Sequence, residues 1–469
     1  MQNPSAPPPK VNRLLRSLSL LDLFVLSSSS MAPAYSLAAV MGLVVAVAGV
    51  GAPLALIVST IPITFIAIGF MRLTTKRPSA GAAYSWARIA FGNRVGWFTA
   101  LLVILAYYFG TIATAVPSGV YTLNLLPHVS RSPIAVGVAG VLWIAFSIYF
   151  LIIGARPTAR LSAVFLYFEL FAILLIAGMA FFHPFTGTPP PDHAPIGFAI
   201  GATGISGLIA AAVLSIWISA GWEASNYSSE ESHGPAINPG LGAIIGLLAT
   251  MAIVWICMVA FLRVGTVEGF TKHQEDALAY VATLLGDGWV SLLMTAAVLV
   301  SSAAALWTTI FVLARGIFAM SRDGLLPQVL SAVHPRYGSP WAAILAAGIP
   351  CAAVMLLSGI FSNARDTLLT VVGGSSIFLG CTFIAGGLAC AYLHIKESGK
   401  DRHLVSGVIL PVIGSLWTLA FLIYDVWKEQ GPFFQHIVIV GILAALVFAA
   451  SAGRWVSNRA QVTIVKEEA

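Results

Sequence analysis

Residues 27–36 read Ser-Ser-Ser-Ser-Met-Ala-Pro-Ala-Tyr-Ser, and they lie inside the first long apolar run of the chain. A proline removes a backbone hydrogen bond from the interior of a helix, and hydroxyl groups are poorly solvated by hydrocarbon. A second stretch of this kind, Trp-Ile-Ser-Ala-Gly-Trp-Glu-Ala-Ser-Asn at 217–226, interrupts another apolar run. Both stretches predict a helix that breaks near its middle, and the positions of the two breaks decide the fold.

The composition identifies the class of protein in which these breaks occur. Of 469 residues, 58% are hydrophobic and 9% are charged, and the mean hydropathy is +0.92. Soluble domains carry about 25% charged residues, and disordered chains have low hydrophobicity. A soluble enzyme and a disordered chain are therefore excluded, and an all-α polytopic membrane protein is predicted. The cysteines lie in apolar stretches without CxxC spacing, so neither a zinc site nor a disulfide framework is expected.

Twelve apolar runs are long enough to cross a bilayer, which takes about 20 residues. The predicted spans are 17–41, 46–71, 96–120, 133–154, 159–182, 203–228, 239–262, 288–318, 342–361, 367–394, 405–425 and 433–453. Residues 1–16 and 454–469 are predicted to be polar tails. No signal-peptide cleavage site follows the first run, so it is expected to be retained as a span.

Lys and Arg residues are distributed unequally between the predicted loops. With twelve spans both termini lie on one side, and 19 of the 24 Lys and Arg residues fall there. The residues on the opposite side are Arg131, Arg263, Lys272, Arg365 and Lys428. The positive-inside rule therefore predicts a multi-pass protein of the plasma (inner) membrane with both termini cytoplasmic. The same distribution accounts for the net charge of +6 without a nucleic-acid partner.

The two breaks fall at equivalent positions if residues 17–182 and 203–394 form two repeats of five helices each. A pair of interrupted segments in corresponding places indicates an inverted-repeat transporter with its site between the breaks. The alternative is that serine and glycine only allow close packing of helices. Residues 405–453 are predicted to add two C-terminal helices.

Three carboxylates lie in the interior of predicted spans. Glu169 is nine residues beyond Arg160, about 13 Å along a helix and near the midplane of the bilayer. An ionisable group at that depth is a functional hypothesis by default, so Glu169 is a candidate proton carrier, with a structural role as the alternative. Glu223 follows the second break, where it is predicted to cap the second half-helix, to take part in coupling, or both. Asp22 is expected to form a surface ion pair with Arg13 or Arg16.

Two segments outside the spans carry separate predictions. Residues 229–234, Ser-Glu-Glu-Ser-His-Gly, form a loop on the side of the termini that has no Lys or Arg. This loop is either solvated or part of a salt-bridged gate. On the opposite side, residues 276–285 are predicted to form a small amphipathic helix that acts as a lid over the outer entrance.

Four segments resemble the amino acid–polyamine–organocation (APC) superfamily of permeases, in sequence order from span 1 to span 9. They are Leu-Ser-Leu-Leu-Asp-Leu at 18–23; Arg-Pro-Ser-Ala-Gly-Ala-Ala-Tyr-Ser-Trp through Ala-Phe-Gly at 77–92; Gly-Trp-Glu and Ser-Glu-Glu within 221–231; and Arg315 through Met-Ser-Arg-Asp-Gly-Leu-Leu-Pro at 320–327, with His-Pro-Arg-Tyr at 334–337 and Pro340. The resemblance implies a LeuT-like five-plus-five inverted repeat with broken helices 1 and 6 and two further helices. It also implies transport of an amino acid or amine by alternating access.

The resemblance places the substrate between the two breaks. Its ammonium would meet freed carbonyls of both breaks, and its carboxylate would meet amides of the first break, in agreement with the half-helix dipoles. Trp217 falls where related arginine/agmatine antiporters place a tryptophan that closes over the substrate, and the tyrosines of span 3 are further candidates, with packing roles as the alternative. The predicted substrate-binding residues are Met31, Pro33, Ala34, Tyr35, Tyr107, Tyr108, Trp217, Ala220 and Gly221.

The sequence departs from the family at three places. Pro-Ala-Tyr at 33–35 replaces Gly-Ser-Gly, which removes one amide and leaves open a substrate with a differently placed anion or with none. Glu169 stands where some proton-coupled relatives carry a lysine, so the charge is reversed. Ser301 and Ser302 match hydroxyls that bind sodium in sodium-coupled members, with close packing as the alternative. The predicted coupling residues are Glu169, Glu223, Ser301 and Ser302.

These observations predict a secondary transporter of an amino acid or related amine, coupled to protons through Glu169. A sodium-coupled symporter and an obligate exchanger of the same fold are the alternatives. An ion channel is disfavoured because the sequence shows neither a repeated carbonyl filter nor a ring of charges. A membrane enzyme is disfavoured because HExxH and GxSxG are absent. No resident cofactor or metal is expected, apart from a sodium site at the paired serines; the expected partners are the small-molecule substrate and the lipid bilayer.

Overall fold

The computed structural model describes residues 14–126, 128–274, 276–286, 288–361, 364–397, 403–428 and 441. Within these ranges the chain is helical, and its one β-type pairing is an isolated bridge between Leu18 and Ser232. The α-helices are α1 (Leu20–Met31), α2 (Pro33–Ala48), α3 (Ala52–Lys76), α4 (Ala82–Phe91), α5 (Asn93–Asn124), α6 (Pro133–Ile153), α7 (Ala155–Phe182), α8 (Gly204–Ser219), α9 (Ala224–Tyr227), α10 (Asn238–Val264), α11 (Val267–Lys272), α12 (Ala277–Leu284), α13 (Trp289–Arg322), α14 (Trp341–Phe361), α15 (Ala364–Lys396) and α16 (Leu410–Lys428).

The helices agree with a polytopic membrane protein. Nine helical segments of the described chain are long and apolar enough to cross a membrane, by length and composition. One of them, Leu20–Lys76, has 57 residues; as one helix it would be about 85 Å long, so it accommodates two spans. The last predicted span, 433–453, lies outside the described residues except at position 441, so the count of twelve stays a prediction.

The helices differ from the predicted spans mainly at their ends. α3 begins at Ala52 and not at 46, because Gly49–Gly51 form a 3-10 turn before it. The predicted loop at 77–92 contains α4, which has ten residues and is too short to cross a membrane. Asp22 accepts hydrogen bonds from the amide and the hydroxyl of Ser19 at 2.8 and 2.7 Å and so caps α1. No ion pair of Asp22 occurs among the described residues, and Arg13, one of its two expected partners beside Arg16, lies outside them.

The predicted small helix at 276–285 corresponds to α12. Asp276 is its N-cap and accepts a hydrogen bond from the amide of Ala279 at 2.9 Å. α11 and α12 pack against α2, and a Cβ on Gly42 of α2 would lie 2.7 Å from the Cα of Gln274. These helices therefore lie directly on the second half of the first broken helix. Their role as a lid over the outer entrance stays a prediction.

The first break is a single residue. Ala32 has φ +47° and ψ +67°, a left-handed conformation that residues with a Cβ rarely adopt. Pro33 follows as the first residue of α2, a position at which a helix needs no amide hydrogen. The chain thus ends α1 and begins α2 at the place where the proline predicted the interruption.

The second break is longer. α8 ends at Ser219, α9 begins at Ala224, and Gly221 between them has φ +104°. A Cβ on Gly221 would lie 2.7 Å from the carbonyl carbon of Ser30, and the hydroxyl of Ser27 donates to the carbonyl of Trp222 at 2.8 Å. The two breaks therefore touch each other, although about 190 residues separate them.

Candidate functional site

A cavity of about 30 Å³ lies between the two breaks, and α5, α13 and α15 complete its wall. Six of the predicted substrate-binding residues lie in this wall, and these are Met31, Tyr35, Tyr107, Trp217, Ala220 and Gly221. Further wall residues that the sequence reasoning missed are Ser30, Ser36, Gly110, Thr114, Thr309 and Ser375. The lining is neutral, because none of the described residues in the wall has a charged side chain.

Helical periodicity is the signal by which some of the missed residues could have been found. Gly110 and Thr114 follow Tyr107 at intervals of three and four residues and so share its face of α5. Of the tyrosine pair, only Tyr107 lines the cavity. Tyr108 is half-buried and donates to the carbonyl of Ala346 on α14 at 2.7 Å. Pro33 and Ala34 also lie outside the wall.

The amides at the start of α2 are engaged by side chains of the protein. The amide of Ala34 donates to Oε2 of Glu169 on α7 at 3.2 Å, and the amide of Tyr35 donates to the hydroxyl of Ser301 on α13 at 3.1 Å. Glu169 is fully buried, and its Oε1 has no hydrogen-bond partner in the described part of the chain. A carboxylate of the protein therefore sits at the positive end of the α2 dipole.

The second break also holds a buried carboxylate. Oε2 of Glu223 accepts from the amide of Gly221 at 3.1 Å, and Oε1 accepts from the hydroxyl of Tyr107 in the cavity wall. Glu223 is 1% exposed. It is the residue before α9, yet its side chain makes no cap hydrogen bond to that four-residue helix, so the capping prediction was wrong. Glu223 instead links the second break to α5.

The two serines of α13 have different surroundings. Ser301 lies next to the first break, where its hydroxyl accepts from Tyr35. Ser302 donates to the carbonyl of Leu299 at 3.0 Å and lies 3.2 Å from the hydroxyl of Ser118 on α5. Only Ser301 is therefore close to the groups at the break. In the described ranges, no three His, Cys, Asp or Glu residues come together as a metal site.

A cluster of arginines and carboxylates lies on the face of the molecule where α1 begins. Both carboxylate oxygens of Glu231 accept from Arg315 at 2.8 Å, and neither side chain is more than 2% exposed. The guanidinium of Arg315 also lies 3.4 Å from the ring centre of Phe311. Beside it, Glu230 accepts two hydrogen bonds of 2.7 Å from the more exposed Arg322. We call these four charged residues the arginine–carboxylate cluster.

The cluster also contacts the chain before α1 and the chain before α4. The backbone carbonyl of Glu231 accepts from the amides of Ser17 and Leu18 at 2.8 and 3.0 Å, just before α1. Glu230 also accepts from the amide of Ala80, which precedes α4. The loop at 229–234 is therefore not a solvated acidic loop; of the two possibilities, the structure shows the ion-paired one.

The segments that carry the family resemblance meet at this face. Asp323, next to Arg322, pairs with Arg88 of α4 at 2.5 Å and accepts from the hydroxyl of Tyr84 at 3.1 Å. The motif at 77–92, the Ser-Glu-Glu triplet and the Arg-Asp-Gly turn after α13 are thus parts of one contact network.

Comparison with known proteins identifies related chains. The family model described as amino acid permease matches residues 18–448. A branched-chain amino acid permease, BcaP of Lactococcus lactis, is 27% identical over 62% of this chain and 64% of its own length. The human cationic amino acid transporter 4 is 26% identical over 92% of this chain and 66% of its own length. The chain thus spans a little under two thirds of the length of these relatives.

A bacterial relative matches over most of both chains. The low-affinity putrescine importer PlaP of Escherichia coli is 24% identical over 86% of this chain and 87% of its own length. The names of these relatives therefore include carriers of amino acids and a carrier of a diamine.

Proposed function

Because this chain belongs to the amino acid permease family, whose members are transporters and not enzymes, we propose that it carries an amino acid or an amine across the plasma membrane by alternating access. The observation that carries this proposal is the contact of two broken helices around one cavity. Broken helices in a membrane protein mark the binding site because their free backbone groups bind the substrate. The proposal includes the LeuT-like inverted repeat, twelve spans and cytoplasmic termini.

The arginine–carboxylate cluster is the cytoplasmic gate in this proposal. Under the positive-inside assignment the face where α1 begins is cytoplasmic. The buried pair of Arg315 and Glu231 ties the loop after α9 to α13, and Glu231 also holds the chain before α1. A substrate in the cavity reaches the cytoplasm only if these contacts separate. In this proposal, the intact pairs correspond to a state that is closed on the cytoplasmic side.

Coupling to protons through Glu169 is the second part of the proposal. Its carboxylate holds the start of α2, and one oxygen is unpartnered in the described residues. Gain or loss of a proton at this carboxylate changes the charge at the N-terminus of α2 and so the position of the first break. Sodium coupling is the competing possibility, because Ser301 adds a hydroxyl oxygen at the same place.

A gradient experiment with Glu169→Gln separates these possibilities. The wild-type protein in liposomes is expected to accumulate its substrate under an inward proton gradient. Glu169→Gln is expected to reduce this accumulation by about tenfold or more while exchange of substrate is retained, because an amide cannot cycle a proton. Uptake of labelled amines and amino acids is measured under a proton gradient, under a sodium gradient and with neither gradient.

The control for this experiment is Glu268→Gln, a carboxylate that is exposed on α11 and paired with Lys272. Its uptake should equal that of the wild type. Uptake driven by sodium alone would favour the sodium-coupled alternative. Proton-driven accumulation that persists in Glu169→Gln would remove Glu169 from the coupling role.

Trp217→Ala is expected to weaken substrate binding by about tenfold, because an indole over a cation contributes roughly 0.5–2 kcal/mol. Trp217 lies in the last turn of α8, is 8% exposed and forms part of the cavity wall. Trp255→Ala on α10 is the control, since Trp255 is half-buried and lies outside that wall. Affinity is measured by the shift in melting temperature with ligand concentration. Equal affinities in Trp217→Ala and the wild type would leave Trp217 a packing residue.

A further inference from the structure

We infer that the central cavity takes an organic amine without a carboxylate, and not an α-amino acid. This inference rests on the proposed function and narrows the substrate class of the same cavity. Three properties of the cavity support it: the amides of the break residues beside it are already engaged, its wall offers hydrogen-bond acceptors, and the buried ionisable side chains beside it are carboxylic groups.

The amides of the first break are engaged from Ala32 to Ser36. Ala32 donates to Ser29, Pro33 has no amide hydrogen, and Ser36 donates to Ala32. The amides of Ala34 and Tyr35, which would bind a substrate carboxylate, donate to Glu169 and Ser301. A carboxylate of the protein thus occupies the place that a carboxylate of the substrate would need.

The second break repeats this arrangement. The amide of Ala220 donates to the carbonyl of Trp217 at 3.0 Å, and that of Gly221 donates to the carboxylate of Glu223 at 3.1 Å. The hydroxyl of Tyr107, a donor in the wall, is also directed to Glu223. At each break, therefore, one backbone amide donates to a buried glutamate of the protein.

The wall retains groups that accept hydrogen bonds from an ammonium. The hydroxyl of Ser30 is buried in the wall and has no partner in the part of the chain that the structure describes. The carbonyl ends of α1 and α8 are next to it, because each helix stops at its break. Helix C-termini carry partial negative charge and favour cations.

The buried ionisable side chains that contact the two breaks are both carboxylic groups. Glu169 and Glu223 each bind a residue adjacent to or within the wall. The buried cation of α13, Arg315, is held by both oxygens of Glu231. A substrate carboxylate would find the amides of Ala34, Tyr35 and Gly221 already taken, and an unpaired buried anion is strongly disfavoured. An ammonium needs none of these donors and is favoured by the carbonyl ends of the two half-helices.

Matched ligand pairs test this inference on the purified full-length protein. The pairs are putrescine and ornithine, cadaverine and lysine, agmatine and arginine, and isopentylamine and leucine; the members of each pair differ by one carboxylate. We expect at least one amine to stabilise the protein, with an apparent Kd lower than that of its α-amino acid by about tenfold or more. The melting temperature is measured against ligand concentration, and uptake of the same ligands is measured in liposomes.

The outcomes separate this inference from the proposed function. If an α-amino acid binds as tightly as its amine and is transported, the inference is overturned and the proposed function stands. If neither member of any pair binds or is transported, both are overturned. Selective binding and transport of amines supports both.

A second variant tests the structural cause of the selectivity. Glu169→Ala frees the amide of Ala34, so the ratio of the Kd for an amino acid to the Kd for its amine is expected to fall by about tenfold. Ser301→Ala frees the amide of Tyr35 and is expected to lower the same ratio. It replaces Glu169→Ala in this test if Glu169→Ala does not fold. A ratio that is unchanged in the folded variants would contradict the assignment of these two side chains.

Discussion

Arg315→Met is expected to lose about 3–5 kcal/mol of stability, because it leaves the carboxylate of Glu231 buried without its counter-charge. The pair is the most deeply buried ion pair among the described residues, with side-chain exposures of 0 and 2%. Loss of the guanidinium also releases the loop after α9 from α13. We therefore expect a large fall in melting temperature in detergent and loss of nearly all uptake.

Two further variants identify the cause of this effect. Arg322→Met is the matched control on the same helix, because its partner Glu230 and Arg322 itself are partly exposed and such pairs contribute roughly 0–1 kcal/mol. The double variant Arg315→Met/Glu231→Leu replaces the buried charges by apolar groups and is expected to recover stability but not uptake. A melting temperature of Arg315→Met no lower than that of Arg322→Met would contradict the importance of the buried pair. Recovery of uptake in the double variant would contradict its role as a gate.

Gly221→Ala is expected to abolish substrate binding. An added Cβ would approach the Ser30 hydroxyl to 2.5 Å and the Ser30 carbonyl carbon to 2.7 Å, so the two breaks would have to move apart. The positive φ of +104° adds backbone strain of about 1–3 kcal/mol. Loss of binding is measured by the ligand-dependent shift in melting temperature.

Gly204→Ala is the control that separates strain from collision. Gly204 begins α8 and has φ +66°, but a Cβ there would meet no atom within 4 Å. This variant is expected to lose some stability and to keep its affinity. Equal affinities of Gly221→Ala and the wild type would show that the contact between the breaks is not part of the site.

The breaks could be predicted from the sequence because their causes are local. Pro33 cannot donate an amide hydrogen bond, and Gly221 adopts a φ that other residues avoid. Within the described residues, the apolar runs predict the order of the long helices, with errors of several residues at their ends. α4 was not predicted, because a ten-residue amphipathic helix contains no long apolar run.

The partners of the free backbone groups could not be predicted. Glu169 and Ser301 lie 135 and 266 residues along the chain from the amides that they bind. The depth of Glu169 in the membrane predicts a functional role for it. Its position at the start of α2, however, follows only from the packing of α7 against α1 and α2. For the same reason, the loop at 229–234 could not be distinguished from a solvated loop before its contacts with α13 were known.

Counterflow distinguishes a carrier from a channel in the wild-type protein. Liposomes are loaded with the unlabelled ligand that gives the largest shift in melting temperature and are diluted into a trace of the same ligand in labelled form. A carrier that exposes one cavity alternately to each side exchanges the two pools, so labelled ligand should rise transiently above its equilibrium level. Entry of label that rises without an overshoot, at a rate independent of the ligand inside, would contradict alternating access between the two broken helices.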